Sequence, residues 1–171
     1  MSIDLLRRLP ARWRATLVRL GLNWHPAYRR GGGRVDYVAP DLSFMRVRLD
    51  LGRRTRNAFG TLFGGSLFAV TDGPHPILLM AALGPDVVVW DQQACIRFRA
   101  PGRSTLYADI AVTPDEIADV RAALAQDGET RRTYTIELKD KQGFVHTVVE
   151  RTVYIADKEH YKTRTTGGNP S

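Results

Sequence analysis

From Met45 to Leu51 apolar and polar residues alternate strictly, with Met45, Val47, Leu49 and Leu51 on one side and Arg46, Arg48 and Asp50 on the other. A period of two predicts a half-buried strand. The same rhythm returns in Trp90, Gln92, Ala94, Ile96 and Phe98, in Leu106, Ala108, Ile110 and Val112, and in Tyr134, Ile136 and Leu138. A last run, Val145, Thr147, Val149, Arg151, Val153 and Ile155, is interrupted by Thr147 and Arg151. Strands with one apolar and one polar face predict an antiparallel sheet covered on one side.

Helical patterns punctuate these strands. Thr113, Pro114 and Glu116 supply an N-cap, a proline at the first helical position and a capping-box acid, followed by Ile117, Val120 and Leu124 on one face and Gly128 as a stop. A second helix, from about Phe63 to Leu83, is apolar nearly all round, as befits a helix wrapped by a sheet, with Pro74 and Pro76 as points of breakage. Asp72 and the two prolines near its middle argue against a membrane span. Before the strands, Leu5, Leu6, Leu9, Trp13, Leu17 and Leu20 recur among arginines, predicting one or two amphipathic helices broken near Pro10. Gly31, Gly32 and Gly33 mark a flexible junction, and the segment after Asp157 loses periodicity and is expected to be disordered. The predicted organisation is a basic helical segment over 1–33 packed on one domain over 34–156, then a tail over 157–171.

Charge refines this picture. The 171 residues carry a net charge of +7, and the segment from Met1 to Arg34 alone holds eight Arg, no Lys and one acid, Asp4. The rest of the chain is therefore neutral, which argues against a nucleic-acid-binding core with a basic face. Contact of the basic segment with an anionic membrane is the minor alternative to its packing on the domain. The single cysteine, Cys95, excludes an internal disulfide framework and fits a reducing compartment, so a cytoplasmic location is expected.

Candidate chemistry gathers in the stretch from Asn57 to Asp72. Gly64 and Gly65, opening an apolar helix, leave backbone N–H groups that a carbonyl or oxyanion can approach, or else they allow close packing against a strand. Asp72 is a carboxylate in a helix too apolar to hold one without purpose, either a site acid or a cap for a segment restarting at Pro74. Asn57 belongs to a glycine-containing turn, with a structural or a positioning role open. His75, three residues after Asp72, is an auxiliary acid or a packing residue. Arg97, Arg99 and Arg103 meet phosphates or form a solvated sheet face. His25, His146 and His160 lack metal-ligand spacing, so neither a metal nor a cofactor is expected.

The run from Asn57 to Asp72 resembles the hotdog superfamily, specifically the PaaI-type acyl-CoA thioesterases with Asn-x-x-Gly-x-x-His-Gly-Gly, an apolar stretch and an acid. Phe63 stands in the place of that motif's His. The chain is more similar still to an uncharacterised hotdog family, through Gly60 to Leu67, Thr71-Asp72-Gly73-Pro74, Val89-Trp90-Asp91 with Ala94, Ile96 and Phe98, and Pro101-Gly102-Arg103. The resemblance implies an α+β hotdog fold, a curved antiparallel sheet around a central helix, in a homodimer whose site straddles the interface. Pairing of dimers into tetramers stays open.

It also implies roles. Asp72 matches the general base or nucleophile, Asn57 the residue positioning substrate or water, and Gly64 and Gly65 the donors polarising the thioester carbonyl. Phe63, Ser66, His75, Arg97, Arg99 and Arg103 are the expected substrate contacts, the substrate being an acyl thioester of coenzyme A. The implied function is a thioesterase-like hydrolase. The alternative is a non-catalytic dimer binding acyl groups or lipid, and a hydratase is a weaker third reading.

Overall fold

A computed structural model describes residues 10–167, so the leucines and arginines of 1–9 and the last residues, 168–171, lie outside it. The elements in order are α1 (Ala11–Trp24), α2 (Pro26–Arg30), β1 (Gly33–Val38), β2 (Phe44–Leu49), α3 (Gly64–Ala69), α4 (Pro74–Leu83), β3 (Val87–Phe98), β4 (Leu106–Ala111), α5 (Pro114–Asp127), β5 (Glu129–Lys139), β6 (Val145–Asp157) and α6 (Lys158–Gly167).

The strands form one six-stranded sheet in the order β1-β2-β4-β5-β6-β3, with every neighbouring pair antiparallel. Alternation along the strands is what fills one face. Met45, Val47, Leu49, Leu106, Ala108, Ile110, Ile136, Leu138, Val149, Val153 and Ile155 are buried in a single core with Leu67, Val70, Leu78 and Leu79 of the central helical stretch. The sheet curves around that stretch, as the resemblance implies.

The central helix is two helices. Val70 to Gly73 separate α3 from α4, and Gly73 caps α4 at a φ of 93°, a backbone position that favours glycine, with Pro74 following at the first helical position. By length and composition Gly64–Leu83 could cross a membrane. Here it is broken at its middle, and Leu67, Val70, Leu78 and Leu79 face the core.

β3 departs from the simple alternation expected of it. A bulge between Asp91 and Gln93 inserts one residue against β6, so the side-chain order reverses there. Asp91 turns inward with Ala94 and Ile96, while Trp90 turns out against Tyr154 at a ring separation of 5.6 Å.

α1 lies on β1 and is fixed by Asn23, whose Nδ2 donates to the Val35 carbonyl (3.0 Å) and whose Oδ1 accepts from the Val35 N–H (2.7 Å). α2 buries Tyr28, whose hydroxyl donates to the Val70 carbonyl at 3.0 Å. The glycine junction expected to be flexible is instead packed: a Cβ on Gly32 would stand 2.2 Å from the Thr55 methyl, and one on Gly33 would stand 2.8 Å from the Tyr28 ring. Close approach, and at Gly32 also a φ of 88°, explains glycine there.

The expectation of a disordered tail after Asp157 also needs correction, because Lys158–Gly167 is helical. The Lys158 N–H donates to the Asp86 carbonyl at 2.9 Å, Tyr161 approaches the Tyr154 ring, and Arg164 donates to Glu129. Polar and aromatic contacts hold this helix, and an apolar periodicity does not register them. α5 begins and ends where its capping residues put it: the Thr113 hydroxyl accepts from the Glu116 N–H at 3.1 Å, and the Gly128 N–H, at a φ of 73°, donates to the Leu124 carbonyl.

Candidate active site

Of the residues singled out in sequence, Asn57, Gly64 and Gly65 fall at the start of α3 and Asp72 just beyond its end. At its start, the loop from Asp50 to Phe63 is knitted by its own polar groups. Asn57 Oδ1 accepts from the N–H groups of Phe59 (3.0 Å) and Thr61 (3.1 Å), and its Nδ2 donates to the Thr61 hydroxyl at 3.0 Å. Its amide is thus engaged in shaping the turn. The loop is joined to the helix by the Phe63 N–H, which donates to the Thr55 carbonyl (2.7 Å), and to the strand side by the Leu62 N–H on the Gly102 carbonyl (2.8 Å).

Gly64 and Gly65 open α3, and the Phe63 side chain ahead of them provides no cap. Their N–H groups have no acceptor within the helix. Aromatic rings lie over both glycines: a Cβ would stand 3.0 Å from the Phe98 ring at Gly64 and 2.4 Å from the Phe63 ring at Gly65. Gly64 borders an open groove of about 370 Å³ with Asn57, Leu67, Phe98, Arg99 and Pro101. Phe63 and Phe98 are exposed beside it. Arg97 and Arg103 point to solvent outside the groove lining, and Ser66 is buried on the inner side of α3.

At the other end stands Asp72. The carboxylate expected in an apolar helix lies instead in the break between α3 and α4, and its side chain is 66% exposed. It does not cap α4, whose N-cap is Gly73 without a side-chain bond. Beneath it is Arg151, only 2% exposed on the core face of β6. Arg151 Nη1 lies 2.9 Å from Asp91 Oδ2 and 3.5 Å from Asp72 Oδ1. Its Nε donates to the Thr71 hydroxyl (3.1 Å) and its Nη2 to the Phe68 carbonyl (2.9 Å), and the guanidinium lies 4.6 Å from the Phe68 ring centre. One buried cation therefore fastens β3, β6 and the end of α3 together and faces an exposed acid.

Burial holds the Asp91 carboxyl above the usual range; Arg151 opposes this, and the adjoining Asp72 carboxyl reinforces it. Two carboxyl groups thus meet over one guanidinium. His75 is buried one turn on, stacked on Tyr134 at 4.1 Å, and its Nδ1 has no hydrogen-bond partner among the described residues. Burial, with Arg151 nearby, lowers its pKa from 6.5 to about 4, so it is neutral near pH 7. In this structure the imidazole is enclosed and packs on β5 through the Tyr134 ring.

Within one chain these sets lie at opposite ends of α3, whose six residues rise about 9 Å. Arg151 and Asp91 were not singled out in sequence. The signal for Arg151 was present, a cation on an otherwise apolar strand face; Asp91 was hidden by the bulge. Among the described residues no three His, Cys, Asp or Glu side chains gather as metal ligands, and Cys95 is exposed.

The pattern of a family described as a domain of unknown function (DUF4442) matches residues 19–155, most of the chain. The chain belongs to the DUF4442 family. A search of curated proteins found no match to this DUF4442 chain. Solved structures share its architecture. A Pseudomonas aeruginosa protein of unknown function, described as a probable thioesterase, superposes with a TM-score of 0.71 at 18% identity, covering 87% of this chain and 97% of the other. A Haemophilus influenzae thioesterase gives 0.60 at 15% identity, with 80% and 87% covered. The Escherichia coli PaaI protein of the phenylacetic acid degradation operon gives 0.57 at 16% identity, with 84% and 92% covered. At such identities the likeness establishes the fold: this DUF4442 domain is a hotdog, with thioesterase-like proteins among its structural neighbours.

Proposed function

We propose that this DUF4442 protein hydrolyses an acyl thioester of coenzyme A as a homodimer joined through β3. The observation that carries the reading is the sheet edge. β3 is the last strand, 12 residues long, and among the described residues no strand pairs with its outer side. An open edge of that length is a template for another strand. Pairing about a twofold axis through the central part of β3 is antiparallel and isologous. It carries the partner's Phe98, with the glycines beneath it, alongside the half of β3 that holds Asp91 and its neighbours Arg151 and Asp72. The two half-sites separated in one chain then meet between two.

In that site the thioester carbonyl oxygen lies at the N–H groups of Gly64 and Gly65, and Asp72 takes a proton from water as the water oxygen attacks the carbonyl carbon. Charge developing on the carbonyl oxygen is met by the two donors. Collapse of the tetrahedral intermediate breaks the C–S bond, the leaving thiolate takes the proton held by Asp72, and the product acid loses its own proton to solvent, giving carboxylate and free thiol. Exposure of Asp72 beside a buried cation supports its part in this, since the carboxyl is both reachable and held near the Arg151 guanidinium. Arg99 at the groove is the candidate contact for a coenzyme A phosphate.

The test is release of free thiol over a panel of acyl-CoA chain lengths by the wild type and Asp72→Ala. Turnover that falls by about 10²-fold or more in the variant supports the proposal. Phe63 in the position of the PaaI-type His favours a second reading, an acyl-binding dimer without turnover. Saturable acyl-CoA binding with no thiol release from the wild type would select it.

A further inference from the structure

α1 has two apolar faces, and the domain uses only one. Ala15 and Val18 are buried against the body of the protein, with Leu22 packed beside them. Trp13, Leu20 and Trp24 follow one another at spacings of seven and four, which puts them on a single stripe of the helix. That stripe points away: Trp13 is 53% exposed, Leu20 43% and Trp24 75%. Isolated exposed apolar residues are ordinary, but two indoles and a leucine aligned on one helix are not.

The surroundings of the stripe are basic. Arg19 on α1 and Arg29 and Arg30 on α2 are exposed, and eight arginines against one acid occupy the first 34 positions, while the remainder of the chain is neutral. Tryptophan prefers the boundary between headgroups and acyl chains, and arginine prefers anionic headgroups just above it. The location is also informative. α1 packs on β1, at the opposite end of the sheet from β3, so the stripe is distant from the edge assigned above to dimer formation.

We infer that α1 is a membrane-docking element, lying flat on an anionic bilayer with Trp13, Leu20 and Trp24 immersed and the arginines on the headgroups. This is independent of whether the protein hydrolyses thioesters. Both protomers of a β3-linked dimer would present such a stripe, so attachment is bivalent wherever the two can reach one surface. α2 relates the docking element to the candidate site, because its Tyr28 is bonded to the Val70 carbonyl, two residues before Asp72.

The experiment is co-sedimentation of the full chain with vesicles of phosphatidylglycerol and phosphatidylcholine, and with vesicles of phosphatidylcholine alone. The expected result is binding to the anionic vesicles only, weakened by salt, and weakened about tenfold or more in the Trp13→Ala/Trp24→Ala variant. Melting temperature and solution mass are measured on the same variant. Because the side chains are exposed, the fold should persist; if it does not, a Trp90→Phe protein supplies the readout, its two remaining indoles being quenched by brominated acyl chains. Three outcomes overturn the inference: no binding to anionic vesicles, binding unchanged by loss of both indoles, or a drop in solution mass in the tryptophan variant without vesicle binding by the wild type. The last would make the stripe a contact between copies.

Discussion

Replacing Arg151 with Met removes the one cation that, among the described residues, Asp91 has at hydrogen-bonding distance, and leaves the carboxyl enclosed. In wild type the guanidinium makes a 2.9 Å contact to Asp91, donates to Thr71 and the Phe68 carbonyl, and covers the Phe68 ring. The Asp72 contact adds little, being 3.5 Å long and on an exposed group. Removing one partner of a buried ion pair costs about 3–5 kcal/mol, more than the pair itself contributes, because the other charge is stranded. For a chain of this size that corresponds to a melting-temperature loss of about 6–20 °C.

The loss should depend on pH, and its sign follows from Asp91. Its folded pKa already lies above the unfolded value of 3.8, and without Arg151 to oppose burial it rises further. The folded state then holds a proton that the unfolded state has released, so stability falls as pH rises through the window above 3.8. Thermal and urea melts of wild type and Arg151→Met near pH 4 and pH 8 therefore diverge most at the higher pH. Arg151→Met/Asp91→Leu, which removes both charges, should recover most of the deficit. A deficit below about 1 kcal/mol, or one that is the same at both pH values, refutes the reasoning.

His75 gives a second pH signature: its pKa is lowered from 6.5 to about 4, so the unfolded chain takes up a proton that the fold refuses, and stability falls by on the order of 3 kcal/mol as pH drops across that interval. His75→Phe, which keeps an aromatic ring on Tyr134, should flatten that part of the urea-stability curve. Mixed dimers test the shared site: Asp72→Ala and Gly65→Val proteins, each inactive alone, should regain about a quarter of wild-type thiol release when unfolded and refolded together, because half the dimers carry one intact site. No recovery at matched dimer content would place the catalytic groups within one chain. Gly128→Ala puts a side chain at a φ of 73°, 2.4 Å from His160 Nδ1; calorimetry should show a loss of about 1–2 kcal/mol, and proteolysis should reach α6 sooner.

Much of the architecture was written locally. The strict alternation at Met45–Leu51 and Leu106–Val112 fixes which side of each strand is apolar, and that side is the one buried. Thr113 and Gly128 define α5 because capping chemistry acts over three or four residues, a range that sequence displays directly. Gly64-Gly65 ahead of an apolar run likewise marks the start of α3, and the joint spacing of several such motifs points to the hotdog family.

What the sequence could not supply is anything that depends on two distant segments meeting. Asp72 stands in an apolar run and reads as enclosed, yet the break before Gly73 turns it to solvent. Asp91 belongs to the outer face by counting, and a single inserted residue turns it inward. Arg151 looks like a flaw in an apolar strand face until β3, β6 and the end of α3 converge on its guanidinium. The helix after Asp157 has no apolar period because Glu129, far away in sequence, supplies part of its anchoring. Local patterns register over a few residues along the chain, whereas burial, bulge parity and charge pairing are set by what the packed sheet brings alongside.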